Sequence, residues 1–161
     1  MSDLQPLLFE HLVQINDASN PLIEPISRQQ LWQGLVLRAE QPKVFMPWLD
    51  RFELMPQDDG TLERLLHFGE FKVHDRIVFT SQQSVSFEIL NGADGLESQM
   101  SMTIEEPAAE ALFVRFTYRV LSENHHDESP LKGAITEAYR HADQDTVFRI
   151  RQLVDTGVLG E

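Results

Sequence analysis

Two oppositely charged residues fall where an alternating strand would turn them inward. Arg64 stands between Leu62 and Leu66, and Asp75 between Val73 and Ile77. If both strands present those apolar neighbours to the interior, the two charges face it as well and can pair, because burying either alone costs a few kcal/mol. Such a pair could orient a carboxylate or carbonyl on an otherwise apolar ligand. The plainer alternatives are an ion pair at the sheet rim, or a register that turns both outward. Tyr118 and Tyr139 offer hydroxyls from a strand and a helix. As general acids with a pKa of about 10 they need assistance that no neighbour in sequence supplies. Amphipathic tyrosines with their hydroxyls at the surface are the ordinary case.

The histidines carry less. His125-His126-Asp127-Glu128 is the one stretch resembling a metal site, but adjacent residues rarely chelate one ion, and no helical His-x-x-x-His pair accompanies it. It reads as a solvated loop, and neither a metal nor another cofactor is expected. His67 lies on the face opposite Arg64 and is expected to face solvent. His11 reads as a partly buried strand residue; histidine suits proton transfer near neutrality, yet a lone one is usually structural. No Ser-His-Asp order, Gly-x-Ser-x-Gly elbow or phosphate-cradling glycine loop is present. Trp32 and Trp48 either form a mouth or lid, or pin two short helices to a sheet.

Composition narrows the class. A chain of 161 residues is of single-domain size and can bury a core, and one domain over residues 1–161 is expected. Ten Phe and 42% hydrophobic residues argue against disorder. The net charge of -13 opposes binding to phosphate backbones and to anionic membranes, so nucleic acid is not an expected partner. Without cysteine, thiol catalysis, disulfides and zinc-thiolate sites are excluded. Met1 to Glu10 lacks the pattern of a signal peptide, and no apolar run approaches the roughly 20 residues of a membrane span. A cytoplasmic location is expected by elimination.

The elements that must position these residues follow from periodicity. Phe9 to Asn16 reads as a first strand, with Phe9, Val13 and Ile15 on one face and His11 among them. Ser27 and Gln30 form a capping box, flanked by the staple positions Ile26 and Leu31, and open a helix with a stripe of Leu31, Trp32, Leu35, Val36 and Ala39. Pro42 and Pro47 leave room for only a short second helix. From Asp50 to Glu123 the period becomes two. Asp59-Gly60 marks a hairpin before the strand Leu62 to Phe68, Asn91 to Gly95 and Glu106-Pro107 mark further turns, and six strands form an antiparallel meander with one apolar face. Ser129-Pro130 begins a last helix running to about Asp155, with Leu131, Ile135, Ala138, Tyr139 and Ala142 on one face, then Val147, Ile150 and Val154 on a stripe that has drifted, and Gly157 as its stop. At about 26 residues it spans nearly 40 Å, enough to cross a whole sheet.

A meander with one apolar face must cover it, and the last helix is the only large element available. Twist then curls the sheet around that helix. The expected class is α+β: a helix-grip fold, a seven-stranded antiparallel sheet wrapped around a long C-terminal helix, with two short helices after strand one. Element order and local residues resemble the START, or SRPBCC (birch-pollen-allergen-like), superfamily and, within it, the AtaL-like bacterial family of unknown function. The residues carrying the resemblance are Ile26 to Trp32, Leu65 to Gly69, Phe113 to Tyr118, and Asp145-Thr146 in the last helix.

The resemblance implies an internal cavity that binds lipids, sterols, polyketides or similar apolar molecules. Its walls would come from Phe52, Leu54, Arg64, Asp75, Phe87, Met100, Met102, Val114, Phe116, Tyr118, Ile135 and Tyr139, most of which serve equally well as packed core. Three functions stay open at this point. The first is a carrier or binder of an apolar, polyketide-like or lipidic molecule. The second is a cyclase, aromatase or dehydratase-like enzyme using Tyr118, Tyr139, Arg64 or Asp75. The third is an interaction or co-chaperone module. An exposed sheet edge also offers a surface for pairing into a homodimer.

Overall fold

The structure, a computed structural model, describes residues 7–90, 96–109, 111–120 and 132–160. The elements run β1 (Leu7–Gln14), α1 (Arg28–Glu40), α2 (Pro42–Phe45), β2 (Arg51–Pro56), β3 (Leu62–Phe68), β4 (Phe71–Thr80), β5 (Ser84–Leu90), β6 (Leu96–Ala108), β7 (Ala111–Val120) and α3 (Lys132–Asp155). The strands make one seven-stranded sheet in the order β1-β7-β6-β5-β4-β3-β2. Every neighbouring pair is antiparallel. The meander therefore holds from β2 to β7, and β1 returns to close on the last strand. The helix-grip expectation is met: one sheet, one long helix, and two short helices after the first strand.

Local chemistry explains the boundaries. The Ser27 hydroxyl accepts from the Gln30 amide at 3.0 Å, and the Gln30 side chain accepts from the Ser27 amide at 2.9 Å, so two of the donors left over at the start of α1 are satisfied. Both staple residues, Ile26 and Leu31, are buried. Gly60, at φ 89°, supplies the left-handed residue of the β2–β3 turn. At the other end of the chain Gly157, at φ 81°, closes α3 in a Schellman motif, with the Val158 amide on the Leu153 carbonyl and the Gly157 amide on that of Val154. The expected start of α3 at Ser129-Pro130 and the turn at Asn91 to Gly95 lie outside the described residues.

Two expectations are corrected. Glu106-Pro107 does not turn the chain; β6 runs through it to Ala108, which pairs with Ala111. The register shifts between Glu105 and Ala108, and such an irregularity tolerates a proline that has no amide to donate. Among the described residues of α3, Ile150 is buried and Val147 and Val154 pack against the core as expected, but Asp143, Thr146 and Leu153 are buried too, whereas Ala138 and Ala142 are exposed. The expected stripe followed apolar residues only, and the helix turns two polar ones inward as well.

The core lies between the concave face of the sheet and the helices, with Leu31, Leu35 and Ala39 of α1, Ile77, Val85, Met102, Val114 and Phe116 of the sheet, and Ile150 of α3. The segment between β1 and α1 is pinned by the buried Asn16 side chain, which both donates to and accepts from the Ile26 backbone at 2.9 Å. Arg151 of α3 adds hydrogen bonds to the carbonyls of Glu24 and Ile15.

Helices α1 and α3 meet at Gly34. A Cβ there would lie 2.8 Å from two side-chain carbons of the buried Ile150. Gly34→Ala gains about 1 kcal/mol in helix propensity but forces a stiff, β-branched core residue aside, which costs about 1–3 kcal/mol. The expected result is a net loss of about 1 kcal/mol, read as a lower urea midpoint at constant slope. A midpoint at or above that of the wild type would mean that Ile150 has room to move.

Candidate functional site

Between the sheet and α3 lies a cavity of about 340 Å³. Its apolar wall includes Met46, Leu66, Phe68, Val73, Phe87, Ile89, Met100 and Ala142, and its polar groups include Arg38, Arg64, Asp75, Tyr118 and Tyr139. Of the residues expected from sequence, Arg64, Asp75, Phe87, Met100, Tyr118 and Tyr139 thus meet at one space. Met102, Val114 and Phe116 do not line it; all three are completely buried and fill the core beside it. Phe52 and Leu54 are also absent from the wall. They sit on β2 at the edge of the sheet, where Leu54 is 36% exposed. Ile135 belongs to α3, but its side chain falls outside the described set, as does the whole of His125 to Glu128.

Arg64 and Asp75 are direct partners across β3 and β4. The alternation on both strands points them inward, and both are buried. Arg64 Nε donates to Asp75 Oδ1 at 2.9 Å and Nη2 to Oδ2 at 2.6 Å, the bidentate form that binds most strongly. Arg64 Nη1 donates to the Ala39 carbonyl at 3.0 Å, so the same guanidinium caps a free carbonyl at the C-terminal end of α1. The pair is therefore a brace between sheet and helix as well as a patch of cavity wall. The Phe87 ring carries Arg64 at 5.1 Å and Arg38 at 5.4 Å, within cation–π range of both.

A second polar group gathers around Asp143, a residue that sequence reasoning did not single out. The Tyr118 hydroxyl donates to Asp143 Oδ1, and His11 Nδ1 lies 3.3 Å from Oδ2. His11 and Tyr118 come from adjacent strands, since β1 pairs with β7 with Phe9 opposite Tyr118 and His11 opposite Phe116. Tyr118 stacks on Tyr139, with ring centres 4.0 Å apart and planes 10° from parallel. Burial holds the Asp143 carboxyl above the usual carboxylate range, against the lowering effect of its hydrogen bonds to Tyr118 and His11. Burial raises Tyr118 well above an ordinary phenol, and the negative charge of Asp143 raises it further. Tyr139 is raised by burial alone. At neutral pH both phenols keep their protons. Tyr118 then gives its hydrogen to Asp143 and retains oxygen lone pairs able to accept from a ligand.

His67 is a correction. It is 5% exposed rather than solvent-facing, because Glu53 of the edge strand closes over it with a 2.9 Å contact to Nε2. Trp32 is half-buried against the core, which suits a pin, whereas Trp48 is 69% exposed just beyond Met46 of the cavity wall. Among the described residues no group of three or more His, Asp or Glu side chains is arranged to hold a metal, and no helix is long and apolar enough to cross a membrane.

The signal for Asp143 was present in spacing. Tyr139, Asp143, Thr146, Ile150 and Leu153 follow one another at steps of three or four, the period of a single helix face. Arg38 likewise sits at a core step, three after Leu35 and four after Gly34.

A curved antiparallel sheet gripping one long helix, with a cavity between them, defines a helix-grip protein. The family of acetylaranotin biosynthesis cluster protein L, AtaL, matches residues 13–157, and this chain belongs to it. No curated protein matches the chain. Among solved structures it is similar to Ara h 8.0201, at 13% identity and a TM-score of 0.62 over 92% of this chain and 97% of that one. It is similar to the Zhui aromatase/cyclase from a Streptomyces species, at 17% identity and a TM-score of 0.61 over 91% and 94%. It is also similar to the Aha1 dimer from Colwellia psychrerythraea, at 13% identity and a TM-score of 0.55 over 84% and 89%. At these identities the likeness is one of fold.

Proposed function

We propose that this chain, as one domain, binds an apolar small molecule, polyketide-like or lipidic, in the cavity between the sheet and α3. The observation that carries this reading is the cavity itself: about 340 Å³, walled mainly by apolar side chains, with a few polar groups at fixed positions. That is the usual anatomy of a small-molecule site. Arg64, Asp75, Phe87, Met100, Tyr118 and Tyr139 are the proposed contacts. A binder needs no reaction, only burial of the ligand's apolar surface at roughly 25 cal/mol per Å².

A second reading, an enzyme of the cyclase, aromatase or dehydratase kind, is favoured by one observation. Tyr118 reaches the cavity with its hydroxyl held by Asp143, which His11 contacts in turn. A positioned hydroxyl backed by two titratable groups is more than a carrier requires. The likeness to the aromatase/cyclase is consistent with it. An interaction module would be better served by a filled interior.

The test is native mass spectrometry of the protein from its own host, paired with thermal stabilisation by a panel of apolar compounds. A ligand at about 100 times its Kd stabilises by about 2.7 kcal/mol. No co-purifying compound and no stabilisation by the panel would sink the binder reading. Ala142→Trp provides the matching control. It places an indole in the cavity from an exposed helical position, so stability should stay within about 0.5 kcal/mol while binding weakens at least 10-fold. Unchanged binding would move the site elsewhere.

A further inference from the structure

Arg38 is the charged group of the cavity wall whose ends are not accounted for. Its Nε donates to Thr146 Oγ1 at 3.1 Å. That hydroxyl donates in turn to the Ala142 carbonyl at 3.0 Å, so its lone pair is aimed at the guanidinium and fixes its orientation. The Phe87 ring supports the guanidinium from the sheet side at 5.4 Å. Neither Nη atom meets an acceptor among the described residues, and no carboxylate lies within ion-pair distance. Every fully buried side-chain nitrogen or oxygen that is described does have a partner. The two Nη atoms are therefore accessible, and Arg38 lines the cavity. The nearby acids are committed elsewhere: Asp75 to Arg64, Asp143 to Tyr118 and His11.

With Nε taken, the edge left to a ligand is the end-on pair of Nη1 and Nη2, two parallel N–H groups that match the two oxygens of a carboxylate. We propose that Arg38 anchors the carboxylate of an otherwise apolar acid whose body occupies the space beside Phe87 and Met100. This rests on the cavity being the binding site proposed above, and it narrows the ligand class to apolar acids. Burial draws the guanidinium pKa below its ordinary value, yet an arginine stays protonated at neutral pH. The unpaired charge is a standing cost that an anionic group would relieve.

The experiment compares 2-naphthoate with 2-naphthalenemethanol, an acid and a neutral alcohol of the same body, by calorimetric titration at neutral pH. The wild-type protein should prefer the acid by about 10-fold or more, the scale of a charge-assisted hydrogen-bond pair. Arg38→Met should abolish that preference by weakening the acid far more than the alcohol, and an unchanged far-ultraviolet circular dichroism spectrum reports that the variant is folded. Arg38→Lys, a charge without the fork, should keep part of it. If the methionine variant does not fold, Arg38→Gln carries the same comparison. Equal binding of both probes to the wild type, or an acid preference that survives loss of the guanidinium, overturns the anchor and leaves the cavity reading intact. Binding of neither probe to the wild type removes the cavity reading, and the anchor with it.

Discussion

Replacing Asp75 with alanine is expected to lower the stability of the fold by about 3–5 kcal/mol, the range for stripping one partner from a buried ion pair. The size comes from what is left behind. Arg64 is 3% exposed, and without Asp75 it keeps the Ala39 carbonyl as its acceptor within normal hydrogen-bond distance. A guanidinium in that position has lost the water it would have in the unfolded chain and gains little in return. Because the pair borders the cavity, some water can follow the vacated carboxylate, so the lower end of the range is the expected value. Arg64→Met should cost a similar amount, since it strands a carboxylate and also frees the end of α1. The double variant, Arg64→Met with Asp75→Leu, should recover most of the loss, because apolar replacements of both ions are often near neutral. A residue of about 1 kcal/mol remains for the unpaired Ala39 carbonyl. Urea midpoints of the wild type, Arg64→Met, Asp75→Leu and the double variant complete the cycle. Additive losses in the double variant would mean that the two charges do not depend on each other.

Tyr118→Phe carries the second large effect. The ring and its stack on Tyr139 stay, and only the hydroxyl goes, leaving the buried Asp143 with His11 as its side-chain hydrogen-bond partner. Loss of one donor to a buried carboxylate costs about 1–3 kcal/mol. The cost should depend on pH in a stated direction. Asp143 is held above the ordinary carboxylate value, mainly by burial. Across the window between those two values the folded protein retains a proton that the unfolded chain has released. The contribution of this group is therefore favourable on the acid side and is lost as pH rises through the window. Removing the Tyr118 hydroxyl takes away an influence that lowers the Asp143 pKa, so the window should extend further upward in Tyr118→Phe. Asp143→Asn, close in shape and without a charge, should flatten that part of the profile. The groups facing Asp143 are Tyr118 from β7, His11 from β1 and, at longer range, Arg38 from α1. Identical pH profiles for wild type and Asp143→Asn would show that Asp143 is not the group responsible.

How far the site could be read from the chain differs residue by residue. Arg64 and Asp75 were legible because a strand has period two, and the residues on either side of each are apolar. Whether they pair depended on register: Arg64 opposite Asp75 follows from a turn that sets Leu62 against Ile77. His11 was placed on the right face without its partner, because that partner lies 132 residues away on another element. His67 was misplaced for a related reason. Alternation puts it on the outer face, and only the fold shows that Glu53 covers it.

Helices concealed more than strands. A helix face spans several residues per turn, so a polar residue at a core step looks like one at the margin of the stripe. Asp143 and Arg38 were passed over on that account, and Thr146 was noted for the family resemblance and not as an inward residue. The apparent drift between Tyr139 and Ile150 was the visible trace of the two polar residues filling the gap.

By itself, then, the sequence determined the fold: the capping box at Ser27, the alternating strands and the long helix closed at Gly157 are local features, each set by neighbours within a few residues. Arg64 and Asp75 were visible in it only as candidates for the inner face, beside the alternatives of a rim pair or another register. Only the tertiary structure decided that a space of about 340 Å³ remains beside the core. It also decided that Met102, Val114 and Phe116 fill that core instead of lining the space, and that Asp143 gathers Tyr118 and His11 while Arg38 keeps two donors unengaged. Volume and pairing depend on how distant elements pack against one another. Arg64 and Asp75, the residues first visible as candidates, are thus a brace with a face on the cavity, and the open donors belong to their neighbour on α1.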